Sequence, residues 1–108
     1  MTREEALKLL QEYLTHKNLF KHSLAVEACM RKLAERLGED PDRWGLAGLL
    51  HDIDYQKTMD NPERHALEAM EILKPYIKDE EILHAIRAHA EKDTLSSKMD
   101  WALYAVDP

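Results

Sequence analysis

Apolar residues recur along the chain at the three- and four-residue spacing of helices, and no stretch alternates long enough to predict a strand. Thr2 and Glu5 spell a capping box, and Ala6, Leu9, Leu10, Tyr13 and Leu14 follow on one helical face. Asn18 predicts the cap of a second helix over Leu19–Leu37, which Gly38 closes. Asp40-Pro41 opens a third helix towards Ile53, and Asn61-Pro62 opens a fourth to about Leu73, where Pro75 stops it. Lys78-Asp79 starts a fifth helix to about Ala90, and Ser96 or Ser97 a sixth that runs to the end of the chain. The pattern predicts an all-α bundle of about six helices, with residues 1–108 as one domain. Its core is expected to include Trp44, Trp101 and the second helix's stripe of Val26, Cys29, Met30, Leu33 and Leu37. Gly45 and Gly48 each cost the third helix about 1 kcal/mol of propensity, which predicts a neighbouring helix passing close beside them.

Composition narrows the function. The chain has 108 residues, 44% apolar and 33% charged, which suits a folded domain that buries a core without staples. No apolar run reaches the roughly 18 residues of a membrane span, and Met1-Thr2-Arg3-Glu4-Glu5 carries no apolar leader, so neither a membrane anchor nor secretion is expected. A lone cysteine, Cys29, excludes an internal disulfide framework and fits a cytoplasmic setting. Fifteen basic against 21 acidic residues give −6, which speaks against a general surface for a nucleic-acid duplex or an anionic membrane. An anionic substrate would need a local source of positive charge.

The histidines supply a candidate source. His22 lies four residues before Val26 and shares its face. His89 continues the stripe of Ile82, Ala85 and Ile86, whereas His84 sits about 140° round that helix and looks away. His65 shares a face with Ala69 and Ile72. The third helix closes as Leu49-Leu50-His51-Asp52-Ile53-Asp54-Tyr55, and the sixth as Trp101-Ala102-Leu103-Tyr104-Ala105-Val106-Asp107. A carboxylate at the end of an apolar run is costly unless it is paired or bound to a cation. Six groups therefore point to one interior place: His22, His51, Asp52, His65, His89 and Asp107. Taken singly, each histidine reads more readily as a core residue with one hydrogen bond, and each aspartate has an alternative reading as a helix cap. Both aspartates, however, sit at C-terminal ends, where the helix dipole disfavours an anion. Together the six suggest a site for divalent transition metals, which imidazole and carboxylate suit. His16 and His84 read as surface residues.

The ordered set His22, then His51-Asp52, then Asp107 resembles the HD superfamily of metal-dependent phosphohydrolases, over about residues 19–108. The stretch His51-Asp52-Ile53-Asp54-Tyr55 is similar to a branch of small bacterial and archaeal members, of the HDxDY type. The resemblance implies an HD-domain-like helical bundle and one or two divalent ions, drawn from Fe, Mn, Ni, Co, Zn or Mg. It implies that His22, His51, Asp52 and Asp107 hold one ion. His65 and His89 fall where two-metal members place two further histidines, as in the branch that hydrolyses diadenosine tetraphosphate, and Asp52 would bridge. The implied substrate is a small phosphate ester or nucleotide, attacked by a metal-activated water. Asp54 would orient or deprotonate that water, or else serve as a turn residue. Lys57 and Arg64 would hold a phosphate, or else be solvated charges. Tyr55 stands where many members carry a lysine. The chain stops one residue after Asp107, where the family usually continues, so a fragment or a homo-oligomer completing the fold is also expected. Two other functions remain beside phosphoester hydrolysis: a di-iron oxygenase of the same fold, and a non-catalytic metal or nucleotide sensor.

Overall fold

The structure is a computed structural model that describes residues 1–107. Six α-helices follow one another: α1 (Arg3–Tyr13), α2 (Lys17–Leu37), α3 (Pro41–Leu50), α4 (Leu67–Leu73), α5 (Glu80–Ala88) and α6 (Lys98–Val106). Short 3-10 turns at Pro62–Arg64 and Lys92–Thr94 punctuate the second half. Among the described residues there is no strand and no helix long and apolar enough to cross a membrane.

The caps explain most boundaries. Thr2 and Glu5 form the capping box of α1, and Ser97 with Asp100 forms that of α6. Asp40 and Asp79 accept backbone N–H groups at the starts of α3 and α5. Gly38 closes α2 at φ +72°, a left-handed conformation that glycine adopts without steric cost.

Helix α3 is the centre of the fold. Trp44, Gly45, Ala47, Gly48, Leu49 and Leu50 are all buried on it, and it packs against α1, α2, α5 and α6. A helix apolar on nearly every side belongs in the middle of a bundle. Its two glycines set how near α2 can come. A Cβ at Gly48 would lie 2.9 Å from the Val26 carbonyl oxygen and 3.0 Å from Glu27 Cα. At Gly45 it would meet only the Arg31 side chain, at 2.6 Å from Nε.

Several expectations are corrected. Helix α2 starts beyond His16, not at an Asn18 cap. Its inward row is Ser23, Val26, Glu27, Met30 and Ala34, so Cys29 and Leu37 face outward. The inward Glu27 is reconciled with burial by Arg3, bound through two contacts of 2.7 and 3.0 Å, and by Arg31 at 3.2 Å. Trp44 is in the core, but Trp101 is 55% exposed and packs edge-on against Tyr104. Helix α3 ends at Leu50, because the following backbone tightens into turns such as Ile53 N–H to the Leu50 carbonyl.

The expected fourth helix is broken. Ala66 takes φ +71°, so the stretch becomes a 3-10 turn, a break and then α4. The cause lies twelve residues upstream. Buried Asp54 accepts from Ala66 N–H at 2.6 Å and from Ala69 N–H at 2.9 Å, and so caps a helix that starts after the break. A non-glycine residue at such a φ costs about 1–3 kcal/mol. Each hydrogen bond to a charged acceptor contributes about 1.5–3 kcal/mol, so two of them outweigh the strain.

Gly48→Ala tests the packing. Alanine normally gains about 1 kcal/mol over glycine inside a helix. Forcing a methyl against the α2 backbone costs about 1–3 kcal/mol, so the expected net result is a loss of up to about 2 kcal/mol in urea unfolding. Gly45→Ala, which only displaces a flexible arginine, should change stability less. A Gly48→Ala protein more stable than the parent would contradict the close approach.

Candidate metal centre

The two helices that supply the most central ligand candidates end at the same place. His51 follows the last residue of α3, and His89 follows the last residue of α5. Both rings turn back on their own helix. His51 Nδ1–H donates to the Gly48 carbonyl at 2.6 Å, and His89 Nδ1–H donates to the Ile86 carbonyl. His65, placed at the break before α4, donates its Nδ1–H to Asp54 at 2.7 Å. A carbonyl oxygen only accepts, so Nδ1 of His51 and of His89 must carry the proton. In the neutral ring the Nε2 lone pair is then free, and it points inward.

Those lone pairs converge on Asp52. Its Oδ2 lies 3.2 Å from His51 Nε2 and 3.7 Å from His22 Nε2. Its Oδ1 lies 3.1 Å from His65 Nε2 and 3.3 Å from His89 Nε2. Asp107, at the end of α6, adds Oδ1 at 2.9 Å from His22 Nε2 and 3.4 Å from His51 Nε2. The imidazole rings meet edge-to-face around this point, with His51 and His65 centroids each 5.1 Å from His89. Six side chains that are up to 85 residues apart thus gather as two groups sharing one carboxylate: His22, His51, Asp52 and Asp107, and Asp52, His65 and His89.

The donor set fits divalent cations on a specific observation. His51 Nε2 is fully buried and lies in ion-pair range of two carboxylates, yet it is aligned for a hydrogen bond with neither. His65 Nε2 and His89 Nε2 face each other at 3.2 Å. Two lone pairs at that distance repel unless a proton or a cation lies between them and the carboxylate. Without cations, protons fill the role. Burial works against charge on His51, but Asp107 and Asp52 outweigh it and raise its pKa from 6.5 to about 10. Burial likewise opposes charge on His65, and Asp52 and Asp54 outweigh it, raising its pKa to about 9. Burial pushes Asp52 up, but contacts with His51, His65 and His89 hold it well below the usual carboxylate range. Burial also opposes ionisation of Asp107, and His51 outweighs it.

The remaining sequence candidates sit elsewhere. Asp54 is fully buried behind His65, with both oxygens engaged, so it holds His65 and α4 in place instead of facing a water at the mouth. Lys57 Nζ pairs with Glu68 at 3.0 Å, and Arg64 pairs with the same carboxylate and with Glu71 at 3.4 Å, both cations beside a separate depression. Their charge is therefore already matched. His84 is outside the site and partly exposed, but it is not idle: its Nδ1 contacts buried Asp100 at 2.8 Å. The Gly48 and Ile86 carbonyls, which fix two of the rings, were missed by sequence reasoning. Both lie three residues before a histidine that ends a helix, and that spacing is a readable signal. A cavity of about 470 Å³ opens over the centre, with Leu19, Tyr55 and Ala90 completing its wall.

The HD domain family model matches residues 19–106. Ribonuclease Y of Nitratidesulfovibrio vulgaris strain DP4 is 36% identical over 90 residues, covering 83% of this chain and 17% of that protein. Ribonuclease Y of Oleidesulfovibrio alaskensis is 35% identical over 107 residues, covering 95% of this chain and 21% of that protein. The same-named protein of Clostridium tetani is 36% identical over 89 residues, covering 79% and 17%. The chain spans only about a fifth of the length of these relatives. With five of the six converging side chains inside the matched span and Asp107 next to its end, the chain belongs to the HD domain family.

Proposed function

We propose that this chain is a divalent-metal-dependent phosphohydrolase acting on a nucleotide phosphoester. One observation carries the reading: each oxygen of Asp52 faces its own set of imidazole nitrogens, the arrangement a bridging carboxylate needs. His22, His51, Asp52 and Asp107 would hold one ion, and Asp52, His65 and His89 a second. Two bound divalent ions would supply a hydroxide nucleophile near neutral pH and neutralise charge growing on the phosphoryl group.

The protein's own contribution is orientation and charge. The Gly48 and Ile86 carbonyls lock the rings of His51 and His89 with Nε2 inward, and Asp54 does the same for His65. Two ions of +2 held by these residues with Asp52 and Asp107 would give a centre of about +2 within a chain of net −6. That local charge would draw a phosphate which the rest of the surface repels. Asp54 is a positioning residue, and Lys57 and Arg64, both committed to Glu68, are not assigned to the substrate. The similarity to proteins named Ribonuclease Y favours a second reading, in which the phosphoester is an RNA linkage.

Assays with Mn, Co, Ni, Fe and Mg on nucleoside monophosphates, dinucleotides and short RNA test both. Turnover is expected with at least one metal and should disappear with chelator and in Asp52→Asn. Asp54→Asn should lower metal affinity about 10–100-fold, because its amide nitrogen cannot accept the His65 proton. His84→Ala should leave turnover and metal content near the parent values. Absence of turnover on every substrate, or full activity in Asp52→Asn, would overturn the proposal.

The protons on His51 and His65 give a second test. A histidine whose pKa is raised by folding stabilises the cation-free protein fully below its free value of 6.5, and that contribution is lost as pH passes about 9 to 10. Cations must displace the same protons. Metal affinity should therefore rise from pH 6 to pH 9, and about two protons per chain should be released at pH 7. Calorimetry in buffers of different ionisation enthalpy counts them. No release, or an affinity that falls with pH, would contradict the assignment.

A further inference from the structure

Beside the metal-binding groups lies a second space of different character. Tyr55, Thr58, Met59, Pro62 and His65 line a cleft of about 190 Å³. Tyr55 and His65 also line the larger cavity over Asp52, so the two spaces meet at these side chains. Tyr55 is 41% exposed and Met59 is 59% exposed, which leaves two large side chains with apolar surface open at the junction.

Tyr55 is held firmly there. Its N–H donates to the Asp52 carbonyl at 2.9 Å, and its own carbonyl accepts from Thr58 N–H at 3.2 Å. Its ring stands edge-to-face with His65, with centroids 5.7 Å apart at 88°. The turn that places Asp52 therefore also places the tyrosine. Among the described residues, no lysine or arginine lines either space. Lys57 and Arg64, on the same stretch, are paired with Glu68. Apart from His65, the wall of the cleft is uncharged, so what enters it is selected chiefly by shape and stacking.

We propose that Tyr55 and Met59 form a shelf for the base of a nucleoside whose phosphoester lies over Asp52. The inference rests on the phosphohydrolase reading and names the alcohol portion of its substrate. A planar base offers a face to an aromatic ring, and a methionine thioether packs favourably against ring edges. Pro62 adds a rigid wall. A cleft of about 190 Å³ has room for one ring system. Glycerol phosphate would reach the phosphoryl position and leave the shelf empty.

Two measurements test this separately from hydrolysis itself. The first is the ratio of kcat/KM for adenosine monophosphate over glycerol 3-phosphate in the metal-loaded protein. It should fall about tenfold or more in Tyr55→Ala, mainly through KM, and return in Tyr55→Phe. An unchanged ratio would overturn the shelf. The second is equilibrium dialysis with adenosine, which carries no phosphate. Binding should weaken about tenfold in Tyr55→Ala and in Met59→Ala and persist in Tyr55→Phe. Tyr55-dependent adenosine binding without any turnover keeps the shelf and removes the hydrolase. Turnover with an unchanged ratio and Tyr55-independent adenosine binding keeps the hydrolase and removes the shelf.

Discussion

A carboxylate with only 12% of its side chain open to solvent, touched by four imidazoles, is the constraint around which this protein is built. Moving an ion of that kind out of water costs several kcal/mol even after the protein relaxes. A guanidinium or an ammonium commonly offsets such a cost, as Arg3 and Arg31 do for Glu27. Asp52 has imidazoles, which are either protonated or neutral with their lone pairs directed at it. The first condition is a compact proton store, and the second needs a cation on each side. Either way the charge of Asp52 is balanced by something that solution supplies and exchanges. A site that binds and releases small cations has this character, and a static core ion pair does not.

The fold serves that arrangement at each level. Gly48 lets α3 lie against α2, and the carbonyl of the same residue fixes His51, so one position sets both helix spacing and ring orientation. Asp54 does comparable double duty. It breaks the chain at Ala66, starts α4 and holds His65, which ties the second group of candidate ligands to the turn that carries the first. The ends of α3, α5 and α6 meet at the centre, so long-range packing of the core sets distances that local sequence cannot.

Much of this is legible in the sequence because it is local. Capping residues mark the starts of α1, α3, α5 and α6 within a residue or two, since a cap bonds backbone only two or three positions away. The histidine candidates stand out because polar groups on apolar faces violate a strong rule. What escapes is non-local. The break at Ala66 is caused by Asp54, twelve residues away, and nothing near Ala66 announces it. The phase of α2 is misjudged because Glu27 turns inward to meet Arg3 from another helix. Trp101 is exposed although its type predicts burial, because α6 turns Met99 and Leu103 to the core instead. Lys57 and Arg64 carry the charge a phosphate needs, but Glu68, just beyond the break at Ala66, holds both.

Crystals grown with manganese, measured for anomalous scattering, test the central claim most directly. The account predicts two peaks per chain, one on each oxygen of Asp52, with His22, His51 and Asp107 around one and His65 and His89 around the other. An empty centre at millimolar manganese, or ions bound away from Asp52, would contradict it.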